Sequence, residues 1–285
     1  MNNQCFEEEL SPGYYYGIDA QLLQDVHSRY QHIQMLHHPQ FGHILRIDGA
    51  LQCSEADEAC YHEPLVHMLM GHVPNSRNVL IIGGGDGGAA EELLKWPQVE
   101  KLEHIELDHC VIDVSRKYLR LLHHGLLDEN QLVDSRYRLT IGDGMARIEE
   151  LISQQCTVDA LVLDLTDPIG PSLPLWNVDF FEKCARVVGR SGALSLHIGA
   201  PWAQAQRCSE VLAALRSTFG TVRPFITNIA VSGGPWMMAI AAVEENVLMP
   251  SEDFWKRELS ELRGDPLSIV DERTLNAMVG LAHKW

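Results

Sequence analysis

From residue 74 onward, the sequence alternates short apolar runs with segments of helical periodicity. The apolar runs are NVLIIGGG, LEHIELD, YRLTIGD, DALVLDL and GALSLHIG, and the segments between them are AEELLKW, VIDVSRKYLRLL, GMARIEELI and VDFFEKCARVV. Buried strands that are separated by helices form a parallel sheet with both faces covered. We therefore predict a doubly wound α/β sheet whose ligands bind at the carboxyl ends of the strands.

The region before residue 74 follows a different pattern. Between residues 14 and 53 lie three extended pieces, YYYGI, RYQHIQML and GHILRIDGALQC, the last with an Asp48-Gly49 turn signal. The next stretch, SEADEACYHEPLVHMLMGHV, has helical spacing and ends before Pro74. We predict two domains: residues 1–73 form a small antiparallel β domain with a linking helix, and residues 74–285 form the larger domain.

Composition excludes several classes of partner. Lys and Arg number 22 against 39 Asp and Glu, a net charge of -17 without a dense basic run, so neither nucleic acid nor a membrane is expected as a partner. The acidic amino terminus and the lack of any apolar run of ~18 residues predict a cytoplasmic protein. Seven scattered cysteines without a CxxC pair indicate reduced thiols, and no metal site is expected because no HExxH or mixed Cys/His spacing occurs.

The first strand of the larger domain runs into GGGDGG, where Gly83, Gly85 and Gly88 match G-x-G-x-x-G. This pattern is typical of a tight turn that approaches a nucleotide closely. Asp86 lies inside the loop, and its carboxylate would repel a pyrophosphate but attract a cation. The loop therefore disfavours a nicotinamide dinucleotide. It favours a nucleoside with a positive tail and without the carboxylate of S-adenosylmethionine.

The next two strands also end in acidic residues. Glu106 follows Asp86 by 20 residues, the spacing at which a carboxylate accepts hydrogen bonds from ribose hydroxyls. Asp143-Gly144 ends the third strand, in a suitable place for the adenine side of the same ligand. We expect these residues to bind one nucleoside.

The fourth strand ends in DLTDP, which places Asp164 and Asp167 three residues apart. Two buried carboxylates this close are costly to keep ionised unless a cation lies between them. With a diamine in the site, one carboxylate would accept a proton from the attacking amine and the other would hold a distal ammonium group.

At these residues the sequence resembles the polyamine aminopropyltransferases of the bacterial spermidine synthase type. The resemblance is carried by GGGDGG followed by DLTDPIGP, together with YQHI, YHE, ELD and DG. It implies a Rossmann-like, methyltransferase-type catalytic domain that transfers the aminopropyl group of decarboxylated S-adenosylmethionine to a polyamine and releases methylthioadenosine. It also implies a homodimer or homotetramer and no cofactor, since the nucleoside is a co-substrate.

The resemblance assigns roles to residues that match its motifs. Asp164 would be the general base; His62, Asp86 and Asp167 would bind the amine; and Gln31, Gly83, Gly85, Glu106, Asp143, Gly144 and Pro171 would bind the nucleoside. Leu173–Trp176 would belong to a flap over the site.

Two departures from the family pattern leave the acceptor amine open. Residues 230–234 read AVSGG, without the usual Thr-Tyr pair, and His197 replaces a glutamine or acidic residue. A protonated imidazole at that place would be a poor neighbour for an ammonium group. Two alternatives remain: a methyltransferase that uses S-adenosylmethionine, and a non-catalytic protein that binds polyamines or nucleosides.

Overall fold

The computed structural model describes residues 3–128, 134–244, 257 and 259–282. The first part of the chain forms a five-stranded antiparallel sheet in the order of the sequence. Its strands are β1 (Gln4–Ser11), β2 (Tyr14–His27), β3 (His32–His38), β4 (Gly42–Ile47) and β5 (Ala50–Ser54). The antiparallel β unit predicted for residues 14–53 is therefore present, and it gains β1, which the sequence analysis missed.

The second sheet has seven strands in the order β11-β12-β10-β9-β6-β7-β8. They are β6 (Asn78–Gly83), β7 (Lys101–Glu106), β8 (Tyr137–Ile141), β9 (Ala160–Asp164), β10 (Ala193–Gly199), β11 (Thr221–Ile229) and β12 (Gly234–Ala242). The five strands from β10 to β8 are parallel, whereas β12 is antiparallel to both β10 and β11. The strand order reverses between β6 and β9, and at such a switch point a crevice opens outside the strand ends.

Helices cover both faces of this sheet. The described helices are α1 (Ala59–His72), α2 (Gly88–Leu94), α3 (His109–Tyr118), α4 (Arg120–His123), α5 (Gly144–Ser153), α6 (Val178–Val188), α7 (Ala205–Thr218) and α8 (Glu272–Ala282), with a 3-10 helix at Gly170–Leu175. Of these, α3 and α4 pack against strands of the five-stranded sheet. Along β6, Val79 and Ile81 pack into the core that contains α1 and α2, while Leu80 and Ile82 pack into the core that contains α5, α6 and α7. Both sets are buried, which confirms the predicted doubly wound architecture. No helix in the described ranges is long and apolar enough to cross a membrane.

Polar contacts tie helix α1 to strand β11 and to the loop before α8. Pro64 has no N–H to donate to the carbonyl of Cys60 one turn earlier, and the hydroxyl of Thr227 in β11 donates to that carbonyl instead, at 2.7 Å. The buried carboxylate of Glu63 accepts three backbone N–H groups, from residues 268–270, at 2.6 to 2.9 Å. These contacts fix the first turns of α1 against β11, at the edge of the larger sheet, and against the loop at residues 268–270. The division into residues 1–73 and 74–285 stays a prediction.

Candidate active site

A cavity of about 310 Å³ lies at the carboxyl ends of β6, β7 and β9, at the switch point of the sheet. Leu45 and Leu51 from the five-stranded sheet and Gln31 from its β2–β3 loop also line the cavity, so both parts of the chain contribute to it. All of the site residues predicted from the sequence line this cavity except His62 and Asp167. The strand-end reasoning therefore located the cavity.

The first two residues of the glycine loop pass so close to the end of β9 that neither can carry a side chain. Gly83 pairs with Asp164 across the two strands and has a φ of +83°. A Cβ atom at Gly83 would lie 2.1 Å from the Asp164 carbonyl oxygen, and one at Gly84 would lie 2.7 Å from Asp164 Oδ2. Glycine is therefore required at both positions, because it alone combines positive φ with this close approach.

Asp86 forms a buried ion pair with His62. Its Oδ1 accepts the N–H of Gly88 at 2.8 Å and lies 3.3 Å from Nε2 of His62, whose Nδ1 donates to Glu58 at 2.9 Å. Burial opposes the charged imidazole, but the two carboxylates outweigh it and raise the pKa of His62 well above 6.5. Burial likewise opposes the ionised form of Asp86, but His62 and the Gly88 N–H lower its pKa to about 2. His62 is fully buried and does not line the cavity, whereas Asp86 does. The amine-binding role expected for His62 stays a prediction.

Asp164 lies at the end of β9 with one oxygen committed and one available. Oδ1 accepts the hydroxyl of Tyr61 at 2.7 Å, whereas Oδ2 is buried and has no hydrogen-bond partner among the described residues. Burial and the nearby charge of Asp86 raise the pKa of Asp164 to about 6. A carboxylate in this state is ionised at neutral pH and well suited to accept a proton. Tyr61 is a site residue that the sequence analysis missed, although YHE contains it.

The donor set at this end of the cavity suits an ammonium group. Ring nitrogen and carboxylate oxygen atoms of His62, Asp86 and Asp164 all lie within 4.8 Å of one another. The protonated imidazole of His62 offers N–H groups and no lone pair, which leaves two carboxylates to accept hydrogen bonds. An amine can donate to both of them.

Glu106 lies at the end of β7 on the other side of the glycine loop. Its Oε1 accepts the N–H of Asp108 at 2.8 Å, and burial raises the pKa of Glu106 to about 7. Asp108 caps α3, and its Oδ2 accepts the hydroxyl of Ser28 at 2.5 Å and the amide of Gln31 at 3.4 Å. Asp108 thus connects the loop that carries Gln31 to the larger sheet, beside Glu106.

Asp143 and Gly144 form the amino end of α5. One carboxylate oxygen of Asp143 caps the helix by accepting the N–H of Met145 at 2.8 Å. A Cβ atom at Gly144 would lie 2.3 Å from a methyl group of Ile82, so the helix can begin this close to β6 only at a glycine. Pro171, in the 3-10 helix, lines the cavity too.

The structure does not bring Asp167 to the other two aspartates. Both of its oxygens accept hydrogen bonds from the guanidinium group of Arg207 in α7, at 2.6 and 2.7 Å. Burial opposes ionisation, but Arg207 lowers the pKa of Asp167 below its usual range. Asp167 is therefore ionised and paired with Arg207, and it does not line the cavity. The amine-binding role expected for Asp167 stays a prediction.

His197 is uncharged, in contrast to the protonated imidazole considered from the sequence. Burial lowers its pKa to about 4, so the imidazole is neutral at pH 7. Its Nε2 donates to the carbonyl of Leu165 at 2.6 Å, and its Nδ1 accepts the indole N–H of Trp236 at 3.3 Å. The expected repulsion of an ammonium group therefore does not arise.

Two family models match the chain. The spermine/spermidine synthase domain matches residues 58–251, and the spermidine synthase tetramerisation domain matches residues 6–55. Among curated relatives, the polyamine aminopropyltransferase of Nitrosomonas europaea is 41% identical over 236 residues, which cover 82% of this chain and 70% of that protein. The enzyme of the same name from Bacillus cytotoxicus is 31% identical over 243 residues, 84% of this chain and 85% of that one.

Solved structures agree with the fold. A spermidine synthase in complex with the transition-state analogue AdoDATO superposes with a TM-score of 0.88 and 25% identity, over 99% of this chain and 94% of that one. The spermidine synthase from Thermotoga maritima has a TM-score of 0.85 and 24% identity over 99% and 93% of the two chains. The small antiparallel sheet and the Rossmann-like sheet are therefore both shared with solved structures.

Proposed function

The chain belongs to the spermine/spermidine synthase family of polyamine aminopropyltransferases, and from that premise we propose how its residues carry out the reaction. Decarboxylated S-adenosylmethionine occupies the cavity with its ribose at Glu106, and a di- or polyamine donates its primary amine to Asp164. The observation that carries this proposal is the buried, unpartnered Oδ2 of Asp164 close to the ionised Asp86. Ordinary S-adenosylmethionine would bring a second carboxylate to Asp86.

The transfer step needs a base and good alignment. The nitrogen lone pair of the amine attacks the methylene carbon bound to the sulfonium sulfur, the C–S bond breaks, and its electron pair stays on sulfur to give methylthioadenosine. The proton lost by the amine passes to Asp164 Oδ2, because an alkyl ammonium with a pKa near ~10.4 cannot attack until it is deprotonated. The fixed negative charge of Asp86 stabilises the positive charge that develops on nitrogen.

The nucleoside site consists of side chains and backbone at the end of the cavity away from Asp86 and Asp164. Glu106 accepts the ribose hydroxyls, while Gln31 and Asp143 supply polar contacts. Gly83, Gly85 and Gly144 let the backbone approach the ligand, and Pro171 covers the base. In support of this assignment, all of these residues line the one cavity that contains Asp164.

The function is tested by offering each sulfonium nucleoside separately with an amine panel of putrescine, cadaverine, spermidine and spermine. We expect methylthioadenosine and an aminopropylated amine from decarboxylated S-adenosylmethionine alone. Methyl transfer from S-adenosylmethionine would support the methyltransferase alternative. Tight calorimetric binding of both ligands without product would support a non-catalytic binding protein.

Changing Tyr61 to Phe is expected to shift the acid limb of the pH profile of kcat/KM upward by about one pH unit. The Tyr61 hydroxyl lowers the pKa of Asp164, which is about 6 in its presence, so removing this hydrogen bond raises that pKa further. The profile is measured from pH 5 to 9, with Tyr118→Phe in α3, outside the cavity, as control. An acid limb that stays in place would contradict the contact between Tyr61 and the base.

We also propose a homodimer or homotetramer in the cytoplasm. The match of residues 6–55 to a tetramerisation domain supports assembly, and seven cysteines present as free thiols are consistent with a reducing compartment. Analytical ultracentrifugation distinguishes the two assemblies by mass.

A further inference from the structure

His104 is a buried histidine of β7 that does not line the cavity. It is paired with Ile81 of β6, and its side chain extends further along that strand, where Nε2 lies 2.6 Å from the carbonyl oxygen of Gly83. On the other side of the ring, Nδ1 lies 2.8 Å from the hydroxyl of Tyr137 in β8. One imidazole therefore connects the edge strand β8 to the first residue of the glycine loop.

The two contacts determine which ring nitrogen of His104 carries the proton. A carbonyl oxygen can only accept a hydrogen bond, so the Nε2–H donates to Gly83. Burial lowers the pKa of His104 to about 4, so the ring is neutral at pH 7 and Nδ1 is an acceptor. Burial also raises the pKa of Tyr137, so its phenol keeps the proton that it donates to Nδ1. Both ring nitrogens are therefore satisfied, and the orientation of the imidazole is fixed.

The backbone leaves the larger sheet at the carbonyl that His104 binds. Pairing of β6 with β7 ends at Ile82, and the φ of +83° at Gly83 turns the chain out of the ladder. Beyond that point the backbone of Gly83, Gly84 and Gly85 lines the cavity, and it has no side chains that could fix its position. The hydrogen bond from His104 therefore anchors the first residue of the loop.

The loop runs between the base and the carboxylate assigned to the ribose with little clearance. A Cβ atom at Gly83 would lie 2.1 Å from the carbonyl oxygen of Asp164, and one at Gly85 would lie 3.0 Å from Oε2 of Glu106. A shift of the loop toward either strand would displace the nucleoside from the geometry that the transfer step needs. A misplacement of ~1 Å is enough to cost about a hundredfold in rate.

We propose that His104 is a positioning residue for the nucleoside site, which it serves by holding the carbonyl of Gly83. The side chain touches neither substrate. It acts through the backbone of the glycine loop on the affinity for the nucleoside and on its alignment with the amine. This inference rests on the proposed function.

The test compares His104→Leu, which removes both ring nitrogens, with His104→Gln, whose amide can donate to the same carbonyl. In His104→Leu we expect methylthioadenosine affinity, measured by calorimetry, to fall about ten- to hundredfold, because the carbonyl loses its donor and the loop can shift. In His104→Gln the affinity should return to within about fivefold of the unaltered protein. A side chain that only fills space in the core would give the opposite order, because leucine suits an apolar pocket better than glutamine does.

His72 provides a matched control. It is also a buried histidine whose pKa burial lowers to about 4, and its Nδ1 donates to the carbonyl of Met68 at 2.6 Å, but it lies in the last turn of α1 and does not line the cavity. His72→Leu is expected to lower the melting temperature about as much as His104→Leu and to leave nucleoside affinity within about twofold. If His104→Leu does not fold, His104→Asn replaces it, because the shorter amide does not reach Gly83.

Nitrogen NMR spectra of the ligand-free protein test the contact without any substitution, and we expect them to show the proton of the His104 ring on Nε2. A proton on Nδ1 would overturn the inference, since the ring could not then donate to Gly83. The inference is also overturned if His104→Leu keeps nucleoside affinity within about threefold, or if His104→Gln binds more weakly than His104→Leu. Absence of nucleoside binding by the unaltered protein would count against the proposed function, whereas the NMR spectra still decide whether His104 holds the loop.

Discussion

Replacing Asp164 by Asn is expected to lower kcat by about two to four orders of magnitude and to leave methylthioadenosine affinity within about threefold. Asn keeps the shape of the side chain and can still accept the Tyr61 hydroxyl, but it cannot take a proton from the amine. Kinetics with saturating amine report the loss, and calorimetry with methylthioadenosine shows that the nucleoside side is intact.

Asp113→Asn, on the exposed side of α3, is the matched control and should keep full activity. A fall in kcat of less than tenfold for Asp164→Asn would remove Asp164 from the role of base. A general loss of folding is recognised separately, because such a variant would also lose nucleoside binding.

Replacing Glu106 by Gln is expected to change stability and nucleoside affinity in opposite directions. The pKa of Glu106 is raised from 4.5 to about 7 by burial, so the folded ligand-free protein favours the protonated form. Its contribution to stability is greatest below pH 4.5, falls as the pH rises toward 7, and stays low above that value. The glutamine amide carries no charge at any pH, so the ligand-free variant should be about 1–3 kcal/mol more stable at pH 8 and should gain little at pH 5.

The same substitution should weaken methylthioadenosine binding about ten- to hundredfold at pH 8, because an ionised carboxylate accepts two ribose hydroxyls and an amide has one acceptor oxygen. Thermal unfolding at pH 5 and 8, together with calorimetry, measures both effects. Glu100→Gln, an exposed acid paired with Arg77, serves as control. Lower stability at pH 8 combined with unchanged affinity would contradict the assignment of Glu106 to the ribose.

The sequence predicted the parts of the fold that depend on local periodicity. Each apolar run between residues 78 and 199 is a strand. Strand β9 is buried at every residue and apolar up to Asp164, as expected for a strand covered on both faces, whereas the edge strand β8 is largely exposed. Strand β1 was missed because its three consecutive glutamates conceal the alternation that buries Phe6 and Leu10. The antiparallel direction of β12 was missed as well, because a buried strand has the same apolar sequence whether it pairs in parallel or antiparallel.

At the site, the sequence predicted which side chains lie at the sheet edge better than it predicted their ion-pair partners and protonation states. Residues at strand ends, such as Asp86 and Asp164, must lie at one edge of a parallel sheet, so their meeting could be foreseen. Arg207 lies 40 residues after Asp167 on a separate helix, and no local sequence pattern predicts their contact. The neutral state of His197 depends on its burial, which is set by the packing around it.

The central claim is that Asp86 and Asp164 hold the reacting amine beside the nucleoside. The most direct measurement is a crystal structure with methylthioadenosine and putrescine bound together. We expect an amine nitrogen within about 2.6–3.2 Å of Asp164 Oδ2, with the same amine also close to Asp86. An amine that binds elsewhere while both carboxylates contact only solvent would contradict the claim.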